Sequence, residues 1–280
     1  MTDSMQRVWY VYGVVAAGFS LADAPAGLDG AGISLERAGG EAGTVAALAS
    51  VHDASGYAPE VIERCSADVV WLGPRARAHD EVLTWASDRG AVVPMPMFTL
   101  FSGSPAVHAM LRERQAQLSA ALALAAAGRE YLLRVYRLDA ELLDIIAQIS
   151  PRLARLHAEA ERASAGQRYL LERKLASERK GEARAASQQV AAEIMDALAP
   201  NAVAALRTPV ASGAGASDPA AGTLVLDAAF LVASDHWSDF QSALSAQVEA
   251  HRGRGFRFDF TGPWPPYHFV RDAAEAARGA

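Results

Sequence analysis

Cys65 is the side chain best suited to covalent chemistry, and it is the chain's one cysteine. A thiol nucleophile needs a neighbouring base, and His52 and His79 are the imidazoles available to it. No signature of a cysteine enzyme surrounds it, and a lone cysteine on a helical segment behaves as a small core residue. The seven histidines are scattered, without the spacing of a helical metal site. Ser102-Gly103-Ser104 lacks the form of a nucleophile elbow and reads as a cap for a helix entered at Pro105. Gly27-Leu28-Asp29-Gly30-Ala31-Gly32 has neither dinucleotide nor P-loop spacing, and no helix follows it, so it reads as a turn. The sequence therefore nominates no catalytic, cofactor-binding or metal-binding residue.

Three stretches carry the chemistry of recognition instead. Arg254-Gly255-Phe256-Arg257-Phe258-Asp259-Phe260 loosely imitates the RNA-binding RNP1 pattern. Its alternation puts Phe256, Phe258 and Phe260 on one strand face, which reads as packing against a helix. A helical stretch, 167–184, sets Arg168, Arg173, Lys174, Arg179, Lys180 and Arg184 against Glu172, Glu178 and Glu182. It is either a solvated, salt-bridged face or a basic docking surface for an acidic partner. The last stretch, 262–270, contains Trp264, Pro265, Pro266, Tyr267 and Phe269. Its prolines forbid helix and favour extended backbone. So aromatic a tail must dock, either folding back to plug a domain junction or serving as a ligand for another protein. Left free it would be an association hazard, which favours fold-back.

The elements that must hold these stretches follow from periodicity. Residues 8–15 read as a strand, 21–32 as a loop, 33–37 and 44–51 as strands split by Gly39-Gly40. Helical patterns span 59–66 and 74–89, the second turning Val82, Leu83 and Trp85 inward. Residues 91–100 read as a strand in which Pro94 and Pro96 remove donors from one side, so it is an edge or irregular. Pro105 opens a helix to Ala127. Beyond Gly128 come a strand (130–138), a helix from Asp139 to Ser150, and helical pattern from Pro151 to Leu198 with joints expected at Gly166 and Gly181. A short strand (206–210), a flexible loop (211–219), a strand (223–232), a helix capped by Ser234 or Asp235, and a strand (256–260) complete it.

The expectation is an α+β protein of two domains: an N-terminal α+β domain (1–127), a C-terminal ferredoxin-like, split βαβ domain (128–261) with a long helical hairpin inserted at about 151–200, and a Pro/aromatic tail (262–280). A composition 51% hydrophobic and 21% charged supports a sizeable core. A net charge of -6 lacks the footprint of a nucleic-acid binder. No apolar run reaches the roughly 20 residues that span a bilayer. The uncharged run after Arg7 mimics a signal peptide, but Trp9-Tyr10-Val11-Tyr12-Gly13 favours strand. The function classes open to such a chain are a protein-binding module, a small-molecule enzyme of ferredoxin-like or α+β-barrel type, and an RNA-binding module.

Several segments, in order along nearly the whole chain, resemble the gas vesicle protein GvpL/GvpF family. They are Tyr10-Val11-Tyr12-Gly13-Val14-Val15, Val93-Pro94-Met95 with Thr99-Leu100-Phe101, Arg168-Tyr169-Leu170-Leu171 with Arg173-Lys174, Ala228-Ala229-Phe230-Leu231-Val232, and Thr261 through Val270. A departure follows the middle Pro-Met, where Pro96-Met97-Phe98 replaces an Arg-Phe-Gly-like segment. The resemblance implies a cytoplasmic, vesicle-associated accessory or minor structural protein of gas vesicle assembly that is not an enzyme. It implies a modified ferredoxin-like C-terminal domain, no cofactor, and contacts with the hydrophobic GvpA-type shell protein and other vesicle accessory proteins. Nucleic acid and membrane are not expected partners.

Overall fold

The apolar run near the N-terminus becomes an inner strand buried from Tyr10 to Val15, since both its faces are covered. The computed structural model describes residues 7–38, 44–210, 222–271 and 274. Strand β1 (Arg7–Ala16) pairs antiparallel with β3 (Val45–Asp53), with β4 (Val92–Pro94) and with β5 (Leu100–Phe101). β2 (Ser34–Arg37) pairs antiparallel with β3, giving the order β2-β3-β1-β4. The register steps from Val11↔Ala49 to Gly13↔Leu48, which makes Tyr12 the extra residue of a bulge. The bulge shifts the alternation. Val8, Tyr10, Tyr12 and Val15 share one face, and Trp9, Val11 and Val14 the other. Gly13 has no substitute here, because a Cβ would stand 2.9 Å from the Val93 carbonyl oxygen.

Each face takes its own helices. The Tyr10 face is covered by α2 (Val69–Arg89) through Val82, Leu83 and Ala86. The Val11 face is covered by α3 (Ser104–Glu113) and α4 (Gln115–Ala126) through Val107, Leu111, Leu118 and Leu122. α1 (Pro59–Cys65) is short and contributes no buried side chain. The expected 91–100 strand is two pieces, interrupted where Phe98 takes φ 62, and β4 ends its row of the sheet, where Pro94 needs no donor. The helix expected from Pro105 to Ala127 is also two, broken at Arg114 with φ -106 and ψ 10. No glycine or proline marks that break. α2 begins earlier than periodicity suggested, capped by Asp68, which accepts from the Val70 N–H at 2.9 Å.

The chain divides into two compact units, Met1–Glu130 with Pro263–Ala280, and Tyr131–Gly262. The second contains β6 (Arg129–Arg137), apart from its first two residues, then α5 (Asp139–Ile149), α6 (Pro151–Arg162), α7 (Ala165–Leu198), β7 (Ala204–Arg207), β8 (Thr223–Val232), α8 (Trp237–His251) and most of β9 (Phe256–Trp264). Its sheet runs β7-β8-β6-β9. Phe230 and Val232 of β8 pack with Val190, Ile194 and Leu198 of α7 and with Phe240 and Leu244 of α8. A smaller cluster of Leu142, Ile146, Leu153 and Ala183 ties α5, α6 and α7 together. Gly255, at φ +72, passes so close to α5 that a Cβ would lie 2.5 Å from the Leu142 nitrogen. The helical run after Pro151 breaks at Ala163 and Ser164, and α7 continues unbroken through Gly166 and Gly181. The first turn of α8 lacks a side-chain cap from either expected residue; His236 holds the N-cap position. The loop expected at 211–219 and the Gly39-Gly40 break lie outside the described residues.

Candidate functional site

The strongest gathering of reactive side chains is in the first unit. β1 supplies Tyr10 and Tyr12, β3 supplies Ser50 and His52, and α2 supplies His79. The Tyr10 hydroxyl lies 2.8 Å from His79 Nδ1. Tyr12 Oη accepts from the Leu28 N–H at 2.8 Å and lies 2.8 Å from Ser50 Oγ. Ser50 Oγ in turn lies 2.7 Å from His52 Nε2. At the rim Tyr57 donates to Asp29 at 2.6 Å. Arg75 pairs with Asp29 at 2.8 Å and its guanidinium lies 4.3 Å from the Trp71 ring centre.

Burial governs the electrostatics of this cluster. It pushes the Tyr10 and Tyr12 hydroxyls above the usual phenol range, and raises Tyr57, which also faces the Asp29 carboxylate. It lowers His52 and brings His79 down from 6.5 to about 4. All these shifts favour the neutral forms. A phenol held protonated and an imidazole held neutral, each hydrogen-bonded to its neighbour, make a rigid polar core; an activated nucleophile needs shifts of the opposite kind. Cys65 ends α1 and is half-buried, while His52 and His79 are occupied in the cluster. Among the described residues no group of three or more His, Cys, Asp and Glu is placed to hold a metal ion.

The aromatic part of the RNP1-like segment, 256–260, opens β9. Phe256, Phe258 and Phe260 pack against the second unit's core. The Phe260 ring stacks on Tyr131 at 5.5 Å and 8°, and Tyr131 stacks on Trp237 of α8 at 4.5 Å.

The tail residues are distributed along one path in the first unit. Pro265 and Pro266 are buried and Phe269 half-buried, whereas Trp264 is 43% exposed. Tyr267 packs against the Tyr10 side of the core and donates to Asp80 at 3.3 Å. The His268 N–H donates to Glu130 at 2.9 Å, and His268 Nδ1 meets the same carboxylate at 2.7 Å. Glu130 is 0% exposed, so His268 answers a carboxylate that water does not reach. Val270 and Ala274 join the other core cluster, with α3 and α4. The segment thus touches both cores of its unit. Sequence reasoning picked out the rings and prolines but missed Asp80, Glu130, His268 and Val270. Glu130 lies 138 positions from His268, and nothing local marks it.

The basic residues of α7 divide by role. Arg168 donates to the carbonyls of Ala160 at 3.2 Å and Glu161 at 3.3 Å, closing the α6–α7 turn. Arg179 is half-buried. Arg173, Lys174 and Lys180 are exposed. Two of the acids turn toward α6 instead: Glu178 pairs with Arg152 at 2.7 Å and Glu182 accepts from Ser150 at 2.8 Å, while Glu172 is exposed. Between the distal ends of α6 and α7 lies a groove of ≈ 720 Å³, floored by Ala158, Leu170 and Leu171 and edged by Arg155, Glu159 and Arg162. Tyr169 and Leu170, 61% and 65% exposed, were not singled out from the sequence as contact residues, although two large apolar side chains beside a helix turn are a readable signal.

Comparison with known proteins follows the same path along the chain. A family model described as gas vesicle synthesis protein GvpL/GvpF matches residues 8–271. Gas vesicle protein F of a Streptomyces species is 31% identical over 202 residues, covering 71% of this chain and 79% of that protein. The crystal structure of GvpF from an Anabaena species superposes with a TM-score of 0.68 at 16% identity, covering 94% of this chain and 98% of that one. GvpF from Microcystis aeruginosa gives 0.65 at 15% identity with the same coverage. The two crystal structures establish a shared mixed helix and antiparallel sheet fold.

Proposed function

The chain belongs to the gas vesicle synthesis protein GvpL/GvpF family, and from that premise we propose that it serves gas vesicle assembly through protein–protein contacts and not through bond-making. The observation that carries this reading is the extent of the family match. It runs over residues 8–271 and so takes in the polar core, the α6–α7 hairpin and most of the tail. The most reactive side chains support it as well, because Tyr10 with His79, and Tyr12 with Ser50 and His52, are hydrogen-bonded pairwise inside a core.

The proposed partners are the small apolar shell protein and other vesicle accessory proteins. A shell subunit with one strongly apolar face needs a covering partner before it assembles. We read the β7-β8-β6-β9 order as the split βαβ plan of a ferredoxin-like domain, with α5 to α7 filling its first crossover. The N-terminal unit, the C-terminal unit and the returning tail are proposed as the working parts. The surfaces offered are the exposed residues of α7 and Trp264 at the start of the tail, and the proposed location is the cytoplasm, on or near the vesicle. No helix among the described residues is long and apolar enough to cross a membrane.

The test is co-purification. The full chain, tagged and expressed with the shell protein, is expected to retain it through a high-salt wash. Recovery of the chain without the shell protein or any vesicle accessory protein would refute the reading.

A further inference from the structure

We infer that the groove between the distal ends of α6 and α7 is a docking site for an amphipathic helix with acidic flanks, presented by another protein. The inference rests on the protein-contact reading above and gives it a place and a chemistry.

The groove has the form that receives a helix. Its floor is apolar, made by Ala158 on one side and Leu170 and Leu171 on the other. Leu170 stays 65% exposed, so this surface remains wet until something covers it. From Arg155 to Arg162 it extends about two helical turns. That length accommodates one helix face with apolar anchors at i, i+3 or i+4, and i+7.

Charge selects the occupant. The stretch 151–184 carries nine Lys and Arg against five Glu, a net of +4, in a chain whose net charge is -6. The remaining residues therefore sum to -10, so the positive charge is concentrated on this hairpin. Two of the acids are drawn inward by Arg152 and Ser150. Arg162 edges the groove. Lys174 stands one turn beyond Leu170 and Leu171, on the same side of α7, and Arg173 is beside it. Arg162, Arg173 and Lys174 form no ion pair among the described residues. An apolar floor whose rim sets Arg155 and Arg162 against the single Glu159, with Arg173 and Lys174 just beyond, is net positive and fits Leu anchors flanked by Glu or Asp.

The experiment titrates the full chain into a fluorescent helical peptide of about 15 residues, with Leu at i, i+3, i+4 and i+7 and Glu elsewhere on the flanks. A second peptide replaces every Glu by Lys. The Glu peptide is expected to bind saturably, at least about tenfold tighter than the Lys peptide. Leu170→Asp, a change at an exposed position that circular dichroism should show to be folded, is expected to weaken it about tenfold or more. Arg162→Glu with Lys174→Glu is expected to reverse the preference, weakening the Glu peptide and strengthening the Lys peptide. Absence of saturable binding, equal binding of both peptides, or indifference to Leu170→Asp overturns the inference. So does tighter binding to phosphatidylglycerol vesicles or to a short DNA duplex, since the surface would then be a general anion binder. Self-association abolished by Leu170→Asp would also overturn it, by making a second copy the occupant. The titration contains no vesicle protein, so it fails or succeeds independently of the co-purification test.

Discussion

At the scale of single residues, His79 couples the core to pH. Its imidazole is 4% exposed, and burial brings it from 6.5 to about 4. The native state therefore holds it neutral, while the unfolded chain takes up a proton as pH falls through 6.5. The stability it contributes is complete above that value and is lost progressively as pH falls toward 4. The loss amounts to about 3 kcal/mol over that window. His52 and His251 are lowered as well and act in the same sense. Urea unfolding at successive pH values should show the fall. His79→Gln, which keeps a hydrogen-bonding group toward Tyr10, should remove about one proton's worth of the slope. An unaltered slope in that variant would mean that another group sets it. Phe98 is a non-glycine residue in the left-handed region, at φ 62, a conformation that costs about 1–3 kcal/mol. Its N–H reaches the Tyr10 hydroxyl at 3.3 Å and its ring stacks on Trp71 at 5.6 Å, contacts that offset the strain.

At the scale of elements, legibility followed periodicity. β1, β3, β8 and α8 announce themselves by alternation or by helical spacing, and their strands and helix lie where those patterns put them to within a few residues. Breaks were harder to read. Gly166 and Gly181 look like joints, yet α7 runs through both, because packing of Leu175, Ala183, Ser187 and Val190 on its inner side outweighs the roughly 1 kcal/mol that a helical glycine costs. Arg114 does interrupt a helix, because α3 and α4 must both turn their apolar residues onto one sheet face. Gly181 supplies the prediction. A Cβ there would meet nothing within 4 Å, so Gly181→Ala should raise the free energy of unfolding by about 0.5–1 kcal/mol. A lower melting temperature in that variant would show that the helix does bend there in solution.

At the scale of the whole molecule, the tail is part of the fold of the N-terminal unit. Val270 is 3% exposed among residues of α3 and α4, so Val270→Ala should cost about 2 kcal/mol. Removal of Pro263–Ala280 should cost more, since it also leaves the buried Glu130 carboxylate without His268. Thermal melting of both variants tests this, and a truncated chain that melts like the intact one would refute it. The apolar alternation, the proline and glycine punctuation and the charge run of α7 determined, from the sequence alone, which segments become strands and helices and which helix is basic. Those properties are local, and each is carried by residues a few positions apart. The tertiary structure alone decided that the Tyr10–His79 pair and the Tyr12–Ser50–His52 chain pack ring against ring in one neutral cluster. It alone decided that Glu130 receives His268, and that Glu178 and Glu182 of α7 turn toward α6 while Arg173, Lys174 and Lys180 face water. Those outcomes depend on desolvation and on which distant surfaces meet, and no short window of sequence records either.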